Sequence, residues 1–312
     1  MAESGESPKS RAIKGRNRLA DSGTTPLVSI IIPVFNREEL ICRTLDAVKA
    51  QKFRPLEVII VDDGSSDRTA EVVGNWANVN QSEGFLVRLC RQDNEGAPSA
   101  RNLGIRESTG LFVQFLDSDD YMHPEKIQIQ VEKLSATGAD LAVCDFRYVY
   151  QAADTLIKDV KNDGDLCRRL ERGHSVFIMT PLISASLLDR GIEWDRLLQR
   201  QQDMDFMFKV FAAADSYVYT QGVWCDYVKH SGAQISDQYS VKRPQYLRRV
   251  RNLISFANQN FKHLGVSGVA MCFSGALNIL FKGLMYGPKS FIKKMLGESA
   301  SAKLKSLLGK KF

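Results

Sequence analysis

The amino-acid sequence predicts an α/β protein in which a mostly parallel β-sheet is flanked by helices. In the first half of the chain, apolar runs rich in Val and Ile alternate with segments whose apolar residues recur every three or four positions. The hydrophobic content of 44% and the charged content of 25% are ordinary for a soluble globular protein. With 312 residues, the chain is long enough to bury a sizeable core.

The elements of this sheet follow one another in a regular order. The first predicted strand is the β-branched run LVSIIIPV at 27–34, which is typical of a strand buried on both faces. Residues 37–51 place their aliphatic side chains on one face and are predicted to form a helix. Further strands are predicted at 56–67 (ending in a Gly-Ser turn), 85–90, 111–117 and 139–150, and further helices at 69–79, 97–109 and 124–137.

After residue 150 the pattern weakens, and the stretch to about residue 165 is predicted to be a loop or an edge strand. From residue 243 onward the chain is predicted to be helical. Residues 264–281 carry no charge, but this length barely reaches that of a membrane-spanning helix. Because Gly, Ser and Asn interrupt the apolar run, we expect a helix that packs on the domain or dips into a membrane interface, with spanning as the alternative.

Composition divides the chain into three regions. Residues 1–26 are predicted to form a flexible basic arm, 27–240 the main domain, and 241–312 a helical, basic extension. The arm has no apolar core of the kind found in secretory signals. The six cysteines are far apart and form no CxxC pair, so we expect free thiols in a reducing compartment.

The last part of the extension, residues 282–312, is strongly basic. It holds eight Lys and one Glu, a formal charge of +7, whereas the whole chain carries +6. Apolar residues are interleaved with these lysines, which favours an anionic membrane surface as the partner. Two alternatives for this segment remain open: it binds a nucleic acid, which we do not expect, or it is a solvated tail that binds nothing.

Polar residues follow the predicted parallel strands at the point where each strand ends. Asn36 follows the first strand, Asp62 and Asp63 end the second, Asn94 follows the third and the acidic run at 117–120 follows the fourth. In sheets of this kind, ligands bind beyond the carboxyl ends of the strands. The sequence therefore predicts one binding site at this rim.

The acidic run suggests a cation. Asp117 and Asp119 are two residues apart, so in an extended chain they point to the same side and offer paired oxygens to a hard divalent metal. Such an ion is usually shared with the phosphates of a substrate. The alternative is that Asp119 or Asp120 caps the helix that begins near Pro124, which accounts for one carboxylate only.

Four motifs occur in order, each at a predicted strand end: PVFN at 33–36, VDDGSSD at 61–67, NEGAPSARNLG at 94–104 and DSDD at 117–120. Together they resemble the family 2 glycosyltransferases, nucleotide-sugar enzymes with a GT-A fold. The resemblance covers roughly residues 27–235, about two thirds of the chain. It implies a Rossmann-like nucleotide-binding sheet in the main domain.

The resemblance also assigns roles in nucleotide binding. The PVFN segment would lie under the base and ribose, with Phe35 offering a ring face where tyrosine is more common in the family. Asp63 would accept a hydrogen bond from the base, whereas Asp62 would fix the turn. Arg101 would face nucleotide or phosphate oxygens. The implied nucleotide-sugar-binding set is Pro33, Phe35, Asn36, Asp62, Asp63, Arg101, Asp117 and Ser118.

For the metal and the catalytic base, the resemblance points to later residues. Asp119 would hold Mn²⁺ or Mg²⁺, and His230, in KHSGAQIS, would be a further metal or phosphate ligand. Asp203, in QQDMDF, would take the proton from the acceptor hydroxyl. The family usually has glutamate before this aspartate, and Gln202 stands there instead. Asp205 is the rival for the base, although its place early in a helix favours a cap or a structural ion pair.

The implied activity is metal-dependent, inverting transfer of a sugar from a nucleotide-diphosphate donor to an acceptor hydroxyl. We expect a UDP-linked donor, an acceptor in a growing glycan or glycolipid of the cell envelope, and a cytoplasmic enzyme peripheral on the inner membrane face. The alternative is a catalytically inactive nucleotide-sugar-binding protein of the same fold. The motifs of competing classes are absent: GxGxxG, the P-loop, and the Gly-rich, Arg-containing loop of nucleotidylyltransferases.

Overall fold

The structure is a computed structural model, and it describes residues 25–150, 157–160, 177–198, 201–229, 243–259, 270, 272 and 274–277. The predicted N-terminal arm, apart from its last two residues, and the basic stretch at 282–312 lie outside the described residues. His230 and Cys167 lie outside them as well.

The described residues form one sheet of nine strands. The chain's alternation of apolar strands and amphipathic helices produces this sheet with helices against its faces. The strands are β1 Val28–Val34, β2 Leu56–Asp62, β3 Phe85–Arg91, β4 Phe112–Phe115, β5 Tyr121–Met122, β6 Leu141–Tyr150, β7 Ile157–Val160, β8 Pro181–Ser184 and β9 Tyr217–Lys229. The helices are α1 Ile41–Lys49, α2 Thr69–Asn80, α3 Ala97–Glu107, α4 Lys126–Thr137, α5 Ala185–Leu188, α6 Gln202–Ala213 and α7 Arg243–Gln259.

The strand order is β3-β2-β1-β4-β8-β6-β9-β5, with β7 paired to β6. The first four strands in this order are parallel, as expected, and β6 and β9 are also parallel. The short strand β8 runs antiparallel between β4 and β6, so the sheet is mixed. The α/β class with a largely parallel, helix-flanked sheet is therefore confirmed, and the antiparallel strands are the departure from the expected order.

Strands β1 and β2 are interior strands of the sheet and are buried along their whole length. The side chains of β1 alternate between two cores. Ile31 packs on one face, in the cluster that includes residues of α6 and α7, whereas Ile30 and Ile32 pack on the other face with residues of α1, α2 and α4. Both faces are covered, which explains why β1 reads as an unbroken apolar run rather than an alternating one.

The described part of the C-terminal extension packs on this core. Helix α7 contributes Val250, Leu253 and Phe256 to the cluster that also contains the apolar residues of α6. Cys272 and Ala276 are buried in the same cluster, as expected for a segment packed on the domain. Among the described residues, no helix has the length and apolarity that crossing a membrane requires.

The cysteines agree with the expectation of free thiols. The five that the structure describes are Cys42, Cys90, Cys144, Cys225 and Cys272, and none of them is in a disulfide.

Candidate active site

The loops after β1 and β2 are tied together by Asn36. This residue adopts a left-handed backbone with φ of +48°, which asparagine tolerates better than most residues. Its side-chain Oδ1 accepts a hydrogen bond from the Ser66 N–H at 2.9 Å, and its own N–H donates to Ser65 Oγ at 2.9 Å. Asn36 therefore holds the PVFN and VDDGSSD motifs against each other at the carboxyl rim of the sheet.

The two aspartates that end β2 have different partners. Asp62 is fully buried, accepts a hydrogen bond from the Ser65 N–H at 3.0 Å and forms an ion pair with Arg91 at 3.3 Å. This closes the turn, as the sequence led us to expect. Asp63 is also buried, and its carboxylate accepts three hydrogen bonds, from the Gln92 side chain at 2.7 Å and the N–H groups of Glu95 at 2.9 Å and Gly96 at 2.8 Å.

The third motif comes close to the second because Gly64 leaves room for it. A Cβ at Gly64 would lie 2.9 Å from the backbone nitrogen of Asn94, and Gly64 has a φ of +74°. Any side chain at this position would therefore clash and strain the backbone. The two loops enclose an open cavity of about 700 Å³, which is lined by Gly64, Arg91, Gln92, Asp93 and Asn94.

The acidic turn after β4 is fixed from two sides. The Thr44 hydroxyl of α1 donates to the backbone oxygens of Ser118 at 2.9 Å and Asp120 at 3.2 Å. The buried Asp120 carboxylate accepts a hydrogen bond from the Val228 N–H of β9 at 3.1 Å. Asp120 thus joins the turn to β9, and neither Asp119 nor Asp120 supplies a side-chain hydrogen bond at the start of α4.

Negative charge accumulates at this turn. Burial and the neighbouring carboxylates of Asp117 and Asp119 raise the pKa of Asp120 well above its ordinary value. Burial and the nearby carboxylates of Asp120, Asp117 and Asp119 also raise the pKa of Tyr227 on β9. The nearest cation to Asp119 in the described chain is Arg37, with 4.0 Å between guanidinium and carboxylate.

Arg101 on α3 is the second cation of the site. Only 4% of this residue is exposed. Its Nη2 donates to Asp117 Oδ1 at 2.7 Å, and its Nη1 donates to Gln202 Oε1 at 3.2 Å and lies 3.8 Å from Asp203 Oδ1. Although burial alone would lower its pKa, the carboxylates of Asp117 and Asp203 outweigh this effect and raise it. One guanidinium therefore joins the acidic turn to the start of α6.

Aromatic residues support this guanidinium. The Arg101 guanidinium lies over the Trp194 ring, 4.4 Å from its centroid. The neighbouring Asn102 holds the Trp194 backbone through two hydrogen bonds, each of 2.9 Å. The Trp194 ring stacks on Phe206 of α6 with centroids 4.1 Å apart and planes 8° apart. The SARN motif thus fixes the segment at Trp194 and, through it, helix α6.

Asp203 lies in the first turn of α6, where the helix dipole favours a carboxylate. Burial raises its pKa to about 6, with Arg101 opposing the rise and Asp117 adding to it. The side chain nevertheless keeps 39% of its surface open to solvent, so it is accessible to a ligand. Asp205, the rival base, is 1% exposed, pairs with Lys209 at 2.8 Å and contacts Asn252 of α7. Its structural role is confirmed.

Helix α7 holds the start of α6 from the other side. Gln201, which precedes α6, has a left-handed backbone with φ of +55°, and its side chain accepts a hydrogen bond from Arg249. Arg248 forms a two-point ion pair with Asp195, which lies next to Trp194. The predicted C-terminal extension is therefore in contact with the segment that carries Asp203.

The structure brings many of the predicted site residues to one rim. Arg101 joins Asp117 to Asp203, and Ser118 and Asp119 belong to the same turn as Asp117. Asp62, Asp63 and Asn36 hold the neighbouring loops, Phe35 is half-buried there and Pro33 is buried in β1. Sequence reasoning missed Arg37, Trp194 and Tyr227. Arg37 directly follows PVFN and could have been noticed, but Trp194 and Tyr227 carry no local signal because only the folded chain brings them to the site.

A divalent cation fits the oxygen chemistry of the acidic turn. Carboxylates are the ligands that Mg²⁺ and Mn²⁺ prefer, and the crowding of Asp117 and Asp119 beside Asp120 raises the pKa of Asp120. In the part of the chain that is described, no group of three His, Cys, Asp or Glu side chains is arranged to hold a metal by itself.

Comparison with known proteins shows the family to which the chain belongs. The family described as glycosyl transferase family 2 matches residues 29–184. The uncharacterized glycosyltransferase EpsJ of Bacillus subtilis is 27% identical over 201 residues, covering 61% of this chain and 57% of its own. The match thus spans little more than half of that relative.

Two solved structures share the fold. S. aureus TarS residues 1–349, in complex with UDP-GlcNAc, has a TM-score of 0.61 at 20% identity, and the alignment covers 88% of this chain and 87% of that TarS chain. The mannosyltransferase PcManGT from Pyrobaculum calidifontis, in complex with GDP-Man and Mn²⁺, has a TM-score of 0.56 at 17% identity, covering 97% and 84%. The chain has a GT-A fold and four motifs at the rim of its sheet, and the family match spans half of its length, so the chain belongs to glycosyl transferase family 2.

Proposed function

We propose that this protein is an inverting glycosyltransferase that moves a sugar from a nucleotide-diphosphate donor to an acceptor hydroxyl. The observation that carries the proposal is the shared guanidinium of Arg101. It lies 2.7 Å from Asp117 of the acidic turn and 3.8 Å from Asp203, so one cation holds a donor-side carboxylate close to a candidate base. A general base must lie within hydrogen-bond reach of the hydroxyl whose proton it takes, and this places Asp203 beside the donor.

The donor's nucleotide would lie across the loops that follow β1, β2 and β3. Three of the roughly four acceptor positions on the Asp63 carboxylate are occupied by hydrogen bonds, which leaves about one for the imide N–H of a base. Phe35 offers a ring beside it. The fold neighbours TarS and PcManGT are complexed with UDP-GlcNAc and GDP-Man, which supports a nucleotide sugar as the donor class. We favour a UDP-linked sugar because Asp63 can accept the imide proton of uracil.

Asp119 would hold a divalent cation, Mn²⁺ or Mg²⁺, with His230 as a further ligand. His230 lies outside the described residues, so this second ligand rests on the sequence motif. When bound, such an ion acts as a Lewis acid that neutralises charge on a diphosphate.

The chain's own contribution to the chemistry is the Asp203 carboxylate. It is raised in pKa to about 6, so it is ionised at neutral pH and still basic enough to accept a proton from a hydroxyl. In this proposal Asp203 takes the proton of the acceptor hydroxyl as its oxygen attacks the anomeric carbon, and the nucleoside diphosphate leaves from the opposite face. One displacement of this kind inverts the configuration.

The remaining proposals concern the setting of the enzyme. We infer an acceptor hydroxyl in a growing glycan or glycolipid, and a peripheral position on the inner membrane face through the basic residues at 282–312. The division into an arm at 1–26, a catalytic domain at 27–240 and an extension at 241–312 belongs to the same proposal. Helix α7 contacts the segment that carries Asp203, which supports an extension that functions with the domain.

The proposal is tested by a panel of nucleotide sugars with Mn²⁺, using thermal shift for binding and nucleoside diphosphate release for turnover. We expect one donor class to bind and turn over, Asp119→Ala to weaken binding, and Asp203→Asn to bind normally but lose turnover at least about 100-fold. Binding without turnover in the wild-type protein, with any acceptor extract, would favour the inactive nucleotide-sugar-binding alternative. Full turnover in both variants would refute the assignment of the site.

A further inference from the structure

Protein groups enclose the guanidinium of Arg101. This residue is 4% exposed, and its two terminal nitrogens contact Asp117, Gln202 and Asp203. The flat face of the group is covered by Trp194. These protein contacts leave little of the guanidinium for a nucleotide phosphate, which was the role that the sequence motif implied.

Hydrogen bonds and ring contacts hold Trp194 in place under the Arg101 guanidinium. The adjacent Asn102 fixes the Trp194 backbone with two hydrogen bonds, and the Trp194 ring is held between Arg101 and Phe206 of α6. Phe115 of β4 packs edge-on against both rings, with centroids 5.6 Å from Trp194 and 5.4 Å from Phe206. Helix α3, strand β4 and helix α6 therefore set the position of the guanidinium relative to Asp203.

The charged groups around Asp203 are mostly acidic. In the described chain, Arg101 is the only cation within 4 Å of Asp203. The other ionisable groups that face Asp203 are Asp117 and Asp120 from the acidic turn and Tyr227 from β9. All of these oppose ionisation of Asp203 or are neutral at pH 7. The remaining partner of the guanidinium, Gln202, is uncharged, so only Asp117 and Asp203 share the positive charge at this distance.

We propose that Arg101 is a positioning residue that holds the Asp203 carboxylate in place and ionised, and that the neutral side chain of Gln202, where the family usually has glutamate, leaves more of the positive charge of Arg101 to Asp203. The proposal rests on the proposed function, because it assumes that Asp203 is the base. A carboxylate at position 202 would compete for the guanidinium and repel Asp203. The Gln202 side chain would then tune the pH at which the base becomes active.

The most direct test replaces Gln202 by glutamate, which keeps the shape and adds one negative charge. Gln221→Glu is the matched control, since Gln221 is exposed on β9. The Asp203 carboxyl resonance is followed by ¹³C NMR titration of the donor-free protein and assigned with Asp203→Asn. We expect Gln202→Glu to raise the pKa of Asp203 by about one unit, because a neighbouring like charge disfavours the ionised form, and Gln221→Glu to leave it unchanged.

A second variant separates positioning from nucleotide binding. Arg101→Lys keeps the positive charge but loses the planar fork, and Arg106→Lys, on the exposed face of α3, is its control. We expect kcat to fall about 10- to 100-fold with KM for the donor nearly unchanged, because a misplaced base affects the chemical step. A rise in KM with kcat unchanged would contradict the proposal and restore nucleotide contact as the role of Arg101.

The NMR titration does not depend on turnover. An unchanged Asp203 titration in Gln202→Glu would overturn the proposal even if the enzyme is active. Conversely, a shifted titration in a protein that consumes no donor would leave the Arg101–Asp203 coupling intact and refute the proposed function instead.

Discussion

Asp117, Asp119 and Asp203 could be found from the sequence because each belongs to a short motif with a defined place beside a strand or helix. Their partners could not. Arg101 meets Trp194 and Asp203 only because α3, the segment at Trp194 and α6 converge in the folded chain. The sequence placed Arg101 at the rim correctly, but its burial against two carboxylates depends on contacts across the sheet, which no local pattern records.

At this scale the clearest prediction is the pH dependence of donor turnover. Burial raises the pKa of Asp203 to about 6, so the base is a carboxylate above that pH and is protonated below it. We expect kcat/KM to lose its pH dependence above about pH 6 and to fall tenfold per pH unit on the acid side. A profile of initial rates between pH 4.5 and 8.5 measures this.

The same raised pKa lowers the stability of the folded protein as pH rises, whereas it makes turnover rise with pH. The unfolded chain releases this proton near 3.8, whereas the folded protein retains it to about pH 6. The contribution of Asp203 to the free energy of unfolding therefore falls as pH rises through this interval.

For the pH profile of turnover, a fall of kcat/KM that begins only at pH 4 or below would show that Asp203 is not held as the structure has it.

At the scale of elements, the apolar strands of the first 150 residues and their helices were predicted to within a few residues, whereas the 13-residue strand β9 was not predicted. Strands β1 and β2 are buried on both faces, which leaves an unbroken β-branched run in the sequence. The four-residue strand β8 was missed because its antiparallel place between β4 and β6 is set by pairing with distant strands. Short strands of this kind carry too few residues for a periodic signal.

Helix α3 offers a test of element packing. A Cβ at Gly104 would lie 2.3 Å from Cγ2 of Ile31 on β1, so Gly104→Ala should push α3 away from the sheet. We expect the free energy of unfolding to fall by about 1–3 kcal/mol and turnover to fall with it, because Arg101 lies on the same helix. Urea unfolding and initial rates measure the two effects.

Gly74, in the middle of α2, is the matched control. A Cβ there would meet nothing within 4 Å, so Gly74→Ala should leave turnover unchanged and stabilise the protein by up to about 1 kcal/mol through helix propensity. If Gly104→Ala were as stable as Gly74→Ala, the close approach of α3 to β1 would be wrong.

At the scale of the whole molecule, the sequence correctly predicted an α/β sheet with its ligand rim at the carboxyl ends of the parallel strands. It predicted that residues 264–281 would pack on the domain or at a membrane interface, but it did not predict that α7 would share the core. Val250, Leu253 and Phe256 of α7 are buried with residues of α6, and Arg249 contacts Gln201 at the start of α6. The sequence predicted a helix here but could not show which surface it would cover.

The basic residues at 282–312 give a prediction for the whole molecule in its setting. The full chain should sediment with vesicles that contain anionic lipid and should be released by high salt, since the attraction between lysines and the surface is screened. Deletion of 282–312 should abolish sedimentation while donor turnover in solution is retained. Equal sedimentation of the full and shortened chains would refute a membrane role for this segment.

The central claim is that Asp203 is the base of a sugar transfer that takes place beside the acidic turn. Initial rates of nucleoside diphosphate release, measured with Mn²⁺ at pH 8 for the wild type, Asp203→Asn and Asp215→Asn, test it most directly. Asp215 is a solvent-exposed control, with 79% of its side chain open to water. We predict a loss of at least about 100-fold for Asp203→Asn and wild-type rates for Asp215→Asn. Wild-type rates for Asp203→Asn would contradict the account.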